Sequence, residues 1–350
     1  MSLDFVKLSI EDLLGCINNE ENKVIKPPHN NVKDEFDKFV NNEIKTRRKN
    51  STISSMRGFH NFIKETLIIN IANYFKPNSV SLLDIAVGRG GDMFKWSNAG
   101  ISNVYGFDKS DTSINSINPF DQGAKERYSK SKKNISCSDI VYNVGDAVQP
   151  TVELMKSIVA FMDNHGLIKN TNPGFEIISC QFAMHYFFKS KIELENVFQA
   201  FIPLLKKGGY FIGTTVNGAN INKLSSPYKT QLLEITKSKP KKDFGSKYTF
   251  KINDSVDQGN YFNTIDASVE YIVDLEVLKK VAKKHGLKPI YLNFFETFGN
   301  DKIPLTEDFV SFENIYNLPK HANWKSGKIN LSDDELLINN LYTTFIFKKL

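Results

Sequence analysis

A glycine-rich loop placed between two acidic residues is the part of this sequence best suited to binding a ligand. Asp84 ends a short apolar run, glycines follow it at positions 88, 90 and 91, and Asp108 ends the next apolar run. Glycines let the backbone approach a ligand closely. A carboxylate just before the loop suits a cationic amino acid, whereas it would repel a pyrophosphate, and Asp108 is placed to accept hydrogen bonds from ribose hydroxyls. The G-x-G-G pattern therefore favours S-adenosylmethionine over a nicotinamide dinucleotide, which prefers G-x-G-x-x-G. A loop that merely turns the chain is the alternative.

The elements that must position this loop alternate between strands and helices. Residues 80–85 and 104–108 are short apolar runs typical of buried parallel strands. Apolar residues at helical spacing predict a helix over 59–75. A second helix is expected over 191–205, ended by the Lys-Lys-Gly-Gly run at 206–209. This order predicts an α/β fold with a doubly wound, mixed sheet, whose further strands are expected at 175–182, 210–215 and 340–347.

The chain is expected to consist of a short arm and one domain. Residues 1–50 are polar and end in a basic cluster, which predicts an N-terminal arm, and 51–350 form the domain. Polar stretches near 118–139 and 218–262 are expected to be insertions. The lysine cluster of the second stretch is interpreted as a solvated loop. Residues 268–273 are predicted to resume the core.

Composition limits the classes of protein to consider. The chain has 350 residues, 41% of them hydrophobic and 24% charged, and a net charge of +6 that suits a polyanionic ligand. No apolar run approaches the roughly 18 residues that span a bilayer, and the first residues lack the pattern of a signal peptide. Three cysteines lie far apart without zinc-binding spacing. We therefore expect an intracellular, reducing compartment, no structural metal and no membrane partner.

The run Cys180-Gln181-Phe182-Ala183-Met184-His185-Tyr186 is the most specific motif of the chain. In it, and in the order of the other motifs, the chain resembles the cap guanine-N7 methyltransferases of eukaryotes and large DNA viruses over about residues 55–350. The Asn- and Lys-rich composition suggests an AT-rich genome, such as that of a giant virus. The other matching segments are Arg57, Asn61 to Lys64, Leu83 to Asp92, Lys95-Trp96, Asp108, Arg127-Tyr128, Gly208 to Thr215, Glu270-Tyr271 and Tyr342.

The resemblance implies a Rossmann-like class I S-adenosylmethionine-dependent methyltransferase with cap-binding insertions. Within it, Lys64 would pair with the methionine carboxylate of the cofactor, Asp84 would lie near its ammonium group, and Asp146 would bond the adenine amino group. The complete cofactor set carried over is Lys64, Asp84, Gly88, Asp92, Asp108, Asp146 and Gln181.

A guanine site is also implied by the resemblance. A carboxylate such as Glu270 can accept hydrogen bonds from the N1–H and N2–H₂ groups of guanine, His185 can donate to O6, and aromatic faces stack on the base. Arg89, Lys95 and Arg127 would face the cap phosphates. The alternatives are a core role for Phe182, an ordinary loop position for His185 and a solvated strand edge for Glu270. The guanine-binding residues carried over are Asn61, Phe182, His185, Tyr186, Glu270 and Tyr342.

The implied reaction needs alignment more than chemical assistance. Guanine N7 carries a free lone pair at neutral pH, so we expect no catalytic acid or base, no covalent intermediate and no metal. Site residues would then act by positioning the reactants. The implied partner is the capped 5′ end of an RNA, with other capping-enzyme domains or a stimulatory subunit as further candidates. The implied location is the nucleus or the cytoplasm, and the host cytoplasm for a viral protein.

Three positions depart from the family pattern, and three other functions compete with the implied one. His60 stands where a second asparagine is frequent, Ala86-Val87 where a cysteine is frequent, and Val216 where proline is common. The first change could alter a ribose or cap contact and the third could reshape one wall of the cap site. The competing functions are methyl transfer to another substrate, a catalytically silent cap-binding or scaffold subunit, and a nicotinamide-dependent oxidoreductase.

Overall fold

The computed structural model describes residue 46 and residues 50–169, 171–254, 267–290, 308–317 and 329–350. Most of the predicted N-terminal arm lies outside these residues. Within them, no helix is long and apolar enough to cross a membrane. Eleven strands occur in the described residues. In chain order they are β1 (Ser81–Ile85), β2 (Asn103–Asp108), β3 (Asp139–Val144), β4 (Phe175–Gln181), β5 (Leu205–Val216), β6 (Tyr228–Lys229), β7 (Leu233–Lys237), β8 (Lys247–Ile252), β9 (Ser268–Tyr271), β10 (Leu287–Pro289) and β11 (Tyr342–Lys349).

Seven of these strands form one central sheet in the order β10-β11-β5-β4-β1-β2-β3. The strands β1 to β5 are mutually parallel, β11 runs antiparallel to β5, and β10 runs antiparallel to β11. All five residues of β1 are buried, as expected for a parallel strand covered on both faces. The predicted α/β class with a doubly wound, mixed sheet is confirmed.

Helices flank the central sheet. The first, α1, buries Met56, Phe59, Ile63 and Leu67 on one side, so the helix predicted over 59–75 is present with earlier bounds. The α-helices of the described residues are α1 (Ser54–Asn73), α2 (Met93–Ala99), α3 (Asp111–Asn115), α4 (Ala124–Ser131), α5 (Val152–Asn164), α6 (Met184–Phe187), α7 (Lys191–Phe201), α8 (Gly218–Lys223), α9 (Leu275–Lys284), α10 (Phe312–Asn317) and α11 (Asp333–Asn339).

The helix predicted over 191–205 ends earlier than expected. The α-helix α7 stops at Phe201, and a 3₁₀ turn over Ile202–Leu204 contains Pro203, which lacks the N–H that would continue α-helical bonding. The Lys-Lys-Gly-Gly run therefore does not end the helix but lies within β5. Gly208 has a φ of 77°, and the pairing with β4 shifts register there, so the run forms an irregularity of the sheet.

A second, antiparallel sheet has the order β6-β7-β8-β9. Tyr271 and Val273 of the segment predicted to resume the core, 268–273, belong to the hydrophobic core, although β9 pairs with β8 in this sheet and not with the central one. In β9, Val269 is 51% exposed, whereas Glu270 and Tyr271 are buried. Because β9 belongs to this sheet, the insertion expected near 218–262 extends beyond residue 262. The other stretch, 118–139, contains α4 and a 3₁₀ turn and leads into β3.

Candidate active site

A cavity of about 690 Å³ opens where the carboxyl ends of β1, β2 and β4 meet. Ligands of doubly wound sheets bind at this edge, where crossovers leave the strands on opposite faces. The cavity also touches β9 of the second sheet. Its lining consists of Ala86, Phe107, Asp108, Lys109, Gly145, Asp146, Ala147, Val148, Gln149, Gln181, Phe182, Ala183, Tyr186, Phe187, Lys189, Glu193, Val269 and Tyr271.

The glycine loop between β1 and α2 has the tight backbone that its sequence predicts. Gly88 and Gly90 have φ values of 55° and 65°, a region that favours glycine. A Cβ on Gly90 would lie 2.8 Å from the Tyr142 hydroxyl oxygen, so the loop has no room for a side chain there. Ala86, the first residue after β1, also has a positive φ of 59°. Such strain in a residue other than glycine persists only where the surrounding structure imposes it.

Asp108 is fixed at the cavity by the loop. The Gly88 N–H donates to Asp108 Oδ2 at 2.9 Å, and the Ser110 N–H donates to Oδ1 at 2.9 Å. An ionised carboxylate offers about four acceptor positions. Both oxygens of Asp108 can therefore accept further hydrogen bonds from a ligand such as a ribose diol.

A buried charge cluster lies beneath the loop. Lys64 Nζ donates to Asp92 Oδ1 at 2.6 Å, and Lys95 Nζ lies 2.9 Å from the same oxygen. Burial alone would raise the pKa of Asp92, but the two lysines outweigh it and hold that pKa well below its usual range. Lys95, predicted at the cap phosphates, also donates to the Gly91 carbonyl at 3.2 Å. Both lysines are thus bonded to the loop.

Asp84 at the end of β1 is the strongest structural sign of a cationic ligand. Its side chain is buried, and Oδ1 has no hydrogen-bond partner among the residues that the structure describes. Burial, and next the nearby Asp92 charge, raise the pKa of Asp84 well above its usual range. An ammonium group beside Oδ1 would supply the missing partner. The site therefore fits the amino-acid end of S-adenosylmethionine.

Asp146 and Gln181 complete the cavity wall expected to hold the cofactor. The Val148 N–H donates to Asp146 Oδ1 at 2.7 Å, which fixes that carboxylate after β3. Thr214 Oγ1 donates to Gln181 Oε1 at 3.1 Å, and Gln181 Nε2 donates to Ser179 Oγ at 3.2 Å. Side chains held in this way need little reorganisation when a ligand binds.

Phe182 begins an aromatic wall directly after Gln181. Its φ is 54°, and its N–H donates to the Thr214 carbonyl oxygen and to Thr214 Oγ1, both at 3.0 Å. The Phe182 ring stacks on the His60 ring with centroids 5.2 Å apart, and it meets the Tyr342 ring edge-to-face at 5.2 Å. His60 also contacts Tyr342 at 5.4 Å between centroids. The departure from asparagine at position 60 thus places an imidazole inside the predicted guanine site.

His185 and Glu270 form a buried polar pair. His185 Nε2 lies 3.8 Å from Glu270 Oε2, and neither ring nitrogen has a hydrogen-bond partner within the described part of the chain. Burial lowers the pKa of His185 even though the Glu270 charge opposes that shift. The imidazole is therefore neutral near pH 7, with one N–H to donate and one lone pair to accept.

Tyr248 and Ser268 hold the Glu270 carboxylate, and the sequence motifs do not reveal either of them. The Tyr248 hydroxyl donates to Glu270 Oε2, and Ser268 Oγ donates to Oε1 at 3.0 Å. Tyr248 lies directly opposite Glu270 in the pairing of β8 with β9. The period-two alternation of 247–252 was the only signal that could have suggested this partner.

The remaining predicted residues lie on α1, α4 and α6 and in the glycine loop. The Tyr186 ring is 41% exposed, and Lys109 Nζ lies 5.8 Å from its centroid. Asn61 is half-buried on α1, one turn before Lys64. Arg89 donates to Asp121 Oδ2 and to the Asp121 carbonyl, each at 2.7 Å, and Arg127 donates to the Arg89 carbonyl at 2.6 Å. The structure thus joins the two arginines to each other and Lys95 to Asp92.

The reversed strand β11, the glycine loop after β1 and the acid that ends β2 define the class I methyltransferase fold. The mRNA (guanine-N(7))-methyltransferase domain model matches residues 18–350, and the chain belongs to that family. The family predicted from the motifs is thereby confirmed.

Curated relatives agree with this membership. mRNA cap guanine-N(7) methyltransferase 1 of Arabidopsis thaliana is 28% identical, over 91% of this chain and 80% of its own length. The mRNA cap guanine-N(7) methyltransferase of Schizosaccharomyces pombe is 26% identical over 73% of this chain, which spans 66% of that protein. The Caenorhabditis elegans protein of the same name is 29% identical over 83% of this chain and 72% of its own length.

A solved S-adenosylmethionine-dependent methyltransferase from Clostridium acetobutylicum is 14% identical, with a TM-score of 0.46 over 91% of this chain and 99% of that one.

Proposed function

We propose that this chain transfers the methyl group of S-adenosylmethionine to guanine N7 of an RNA 5′ cap. The observation that carries the proposal is that one cavity adjoins both residue groups. Asp108, Asp146 and Gln181 line it on the side expected for the cofactor. Phe182 and Tyr186 line it on the side expected for the guanine.

The guanine would be read by the buried polar pair. Glu270 accepts from Tyr248 and Ser268 and retains acceptor capacity for the N1–H and N2–H₂ groups of the base. Neutral His185 can donate to O6. Phe182 and Tyr186 provide aromatic surface in the cavity, and the buried Tyr342 packs against Phe182. Tyr342 and Asn61, on α1, are proposed as further contacts. A base other than guanine would leave these buried polar groups unpaired, and the cost of leaving them unpaired discriminates strongly against that base.

The cofactor would be held by Lys64, Asp84, Gly88, Asp92, Asp108, Asp146 and Gln181. When bound, S-adenosylmethionine supplies a methyl group on a sulfonium sulfur, which is a good leaving group. Asp84 would accept from its ammonium group, Asp108 from its ribose hydroxyls and Asp146 from its adenine amino group. Lys64, which is paired with Asp92, would also bind the carboxylate of the cofactor.

The protein would accelerate methyl transfer by aligning guanine N7 with the methyl group of the cofactor. Guanine N7 needs no deprotonation, so no side chain of this site has to act as a base. Positioning of two reactants can supply about 7–11 kcal/mol in favourable cases. Arg89, Lys95 and Arg127 are proposed to face the cap phosphates. The two arginines would then donate to the phosphates in addition to the acceptors that they bond in this structure.

The wider context is proposed from the family. The substrate is the capped 5′ end of an RNA, and other capping-enzyme domains or a stimulatory subunit are candidate partners. We place the protein in the nucleus or the cytoplasm, and in the host cytoplasm if it derives from a large DNA virus. Residues 1–50 are proposed as a basic arm beside one catalytic domain.

The test is methyl transfer from labelled S-adenosylmethionine to the dinucleotide GpppG, followed by nuclease digestion and chromatography. We expect the label in 7-methylguanosine. Glu270→Gln should abolish most transfer without weakening cofactor binding, whereas Glu276→Gln, at an exposed position on α9, should leave both intact. A wild-type protein that binds the cofactor but leaves the cap unlabelled would overturn the proposal in favour of another substrate or a scaffold role.

A further inference from the structure

We infer that lysines of the β7–β8 hairpin bind the phosphates of the RNA that follows the cap. The inference rests on the proposed function and adds a second contact region for the same substrate. The hairpin lysines are exposed, and the region of the second sheet beside them lines the cavity. The lysines concerned are Lys239, Lys241, Lys242 and Lys247.

Strand pairing places Lys247 beside the cavity. Lys247 pairs with Tyr271, and Thr249 pairs with Val269. Residues directly opposite in an antiparallel pair have their side chains on the same face. Because Val269 and Tyr271 line the cavity, the face that carries Lys247 continues the cavity wall outward.

The hairpin loop is fixed against the central domain. The Gly245 N–H donates to the Phe188 carbonyl at 2.9 Å, and the Phe244 ring stacks on the Phe188 ring with centroids 5.4 Å apart. Ser246 Oγ bonds both the N–H and the carbonyl of Lys241, at 2.7 and 3.0 Å. Phe188 precedes Lys189, another lining residue of the cavity. The loop therefore presents its lysines from a bonded backbone beside the cavity mouth.

The charge of this surface favours a polyanion. Segment 238–247 contains four lysines and one acid, Asp243. For these four lysines the structure shows no ion pair with another described residue. Lys189, which lines the cavity, is by contrast paired with Glu193 at 3.0 Å. A solvated lysine loop would need no contact with the cavity wall, whereas an RNA chain leaving a bound cap must pass the cavity mouth.

The partner is therefore single-stranded RNA, recognised through its phosphates and without dependence on sequence. Each phosphate neutralised on a single strand contributes a slope of about −0.7 to log K against log salt. Three lysines should therefore contribute about two units of slope. A GpppG dinucleotide lacks these phosphates and should not depend on the lysines.

The experiment compares Lys241→Ala/Lys242→Ala/Lys247→Ala with Lys280→Ala/Lys283→Ala/Lys288→Ala. The control removes the same charge from exposed positions on α9 and β10. Steady-state kinetics are measured with GpppG and with a capped RNA of about 20 nucleotides at several salt concentrations. We expect the hairpin variant to raise KM for the long RNA about tenfold or more at low salt, to flatten its salt dependence, and to keep wild-type kcat and wild-type kinetics on GpppG.

Three outcomes would overturn the inference: unchanged kinetics on the long RNA, an equal loss in the control variant, or an equal loss on GpppG. The last result would indicate damage to the cavity itself. Failure of the proposed function is distinct, because the wild-type protein would then methylate neither substrate.

Discussion

Tyr248 donates a hydrogen bond to Glu270 across the pairing of β8 with β9, and both side chains are buried. The carboxylate expected to read the guanine is thus oriented by a residue 22 positions away in the sequence. Burial, and next the Glu270 charge, raise the pKa of Tyr248 well above its usual range, so the phenol remains a donor at any physiological pH.

Replacing Tyr248 with phenylalanine should weaken the use of the cap and spare the cofactor. A hydrogen bond to a charged group contributes about 1.5–3 kcal/mol, which corresponds to a roughly 10- to 150-fold lower kcat/KM for GpppG. Calorimetry with S-adenosylmethionine should give the wild-type Kd. Tyr228→Phe, on β6 of the same sheet, is the control. Normal cap kinetics in Tyr248→Phe would show that Glu270 needs no orientation by this residue.

Asp108→Asn should weaken cofactor binding. The substitution removes a charge that accepts from the Gly88 and Ser110 N–H groups and is proposed to accept from ribose hydroxyls. We expect a Kd for S-adenosylmethionine at least about tenfold higher by calorimetry. Asp111→Asn, at an exposed position on α3, should leave it unchanged. An unaltered Kd in Asp108→Asn would remove Asp108 from the cofactor site.

Asp84→Asn should separate stability from binding. The pKa of Asp84 is raised in the folded state, so the folded protein binds this proton more tightly than the unfolded chain does. The contribution of Asp84 to the unfolding free energy therefore falls as pH rises above its ordinary pKa of 3.8. At pH 7 the variant without ligand should be more stable by about 1–3 kcal/mol, yet bind S-adenosylmethionine more weakly. Denaturant unfolding and calorimetry would measure the two effects. A less stable variant with unchanged affinity would contradict the assignment of Asp84 to the ammonium group.

His60 should make the protein sensitive to acid. Burial, and next the Lys64 charge, lower the pKa of His60 to about 3, so the unfolded chain takes up this proton first as pH falls. The contribution of the neutral imidazole to stability is present above pH 6.5 and is lost as pH falls toward 3. His60→Gln should reduce the loss of unfolding free energy between pH 6.5 and 4. Urea titrations of both proteins would measure this effect. If the unfolding free energies of the two proteins had the same pH dependence, this role of His60 would be refuted.

The cofactor edge of the fold was predictable because its signals are local. The acid, the glycines and the second acid lie within 25 residues of one another, and each lies in the last residues of a strand or just after it. The pairing of Lys64 with Asp92 was not predictable, since it depends on how α1 packs against α2. Lys95 pairs with Asp92 over only three positions, and its place at the cap phosphates stays a proposal.

On the proposed guanine side, the sequence motifs name His185 and Glu270 but not the residues that support them. His185 and Glu270 stand in recognisable segments, whereas Tyr248, Ser268 and His60 reach them only through sheet register and ring packing. The pairing of the strand in 268–273 with β8 could not be predicted, because a short apolar run does not specify its partner.

Glu270 stands on the four-stranded sheet, whereas Asp84, Asp108 and Gln181 stand at strand ends of the seven-stranded one. The carboxylate proposed to contact the guanine is thus carried by a different sheet from the groups proposed to hold the methyl donor. Remodelling of the smaller sheet, in the laboratory or by evolution, could therefore change this one contact with the base while the strand ends proposed to hold the methyl donor stay as they are.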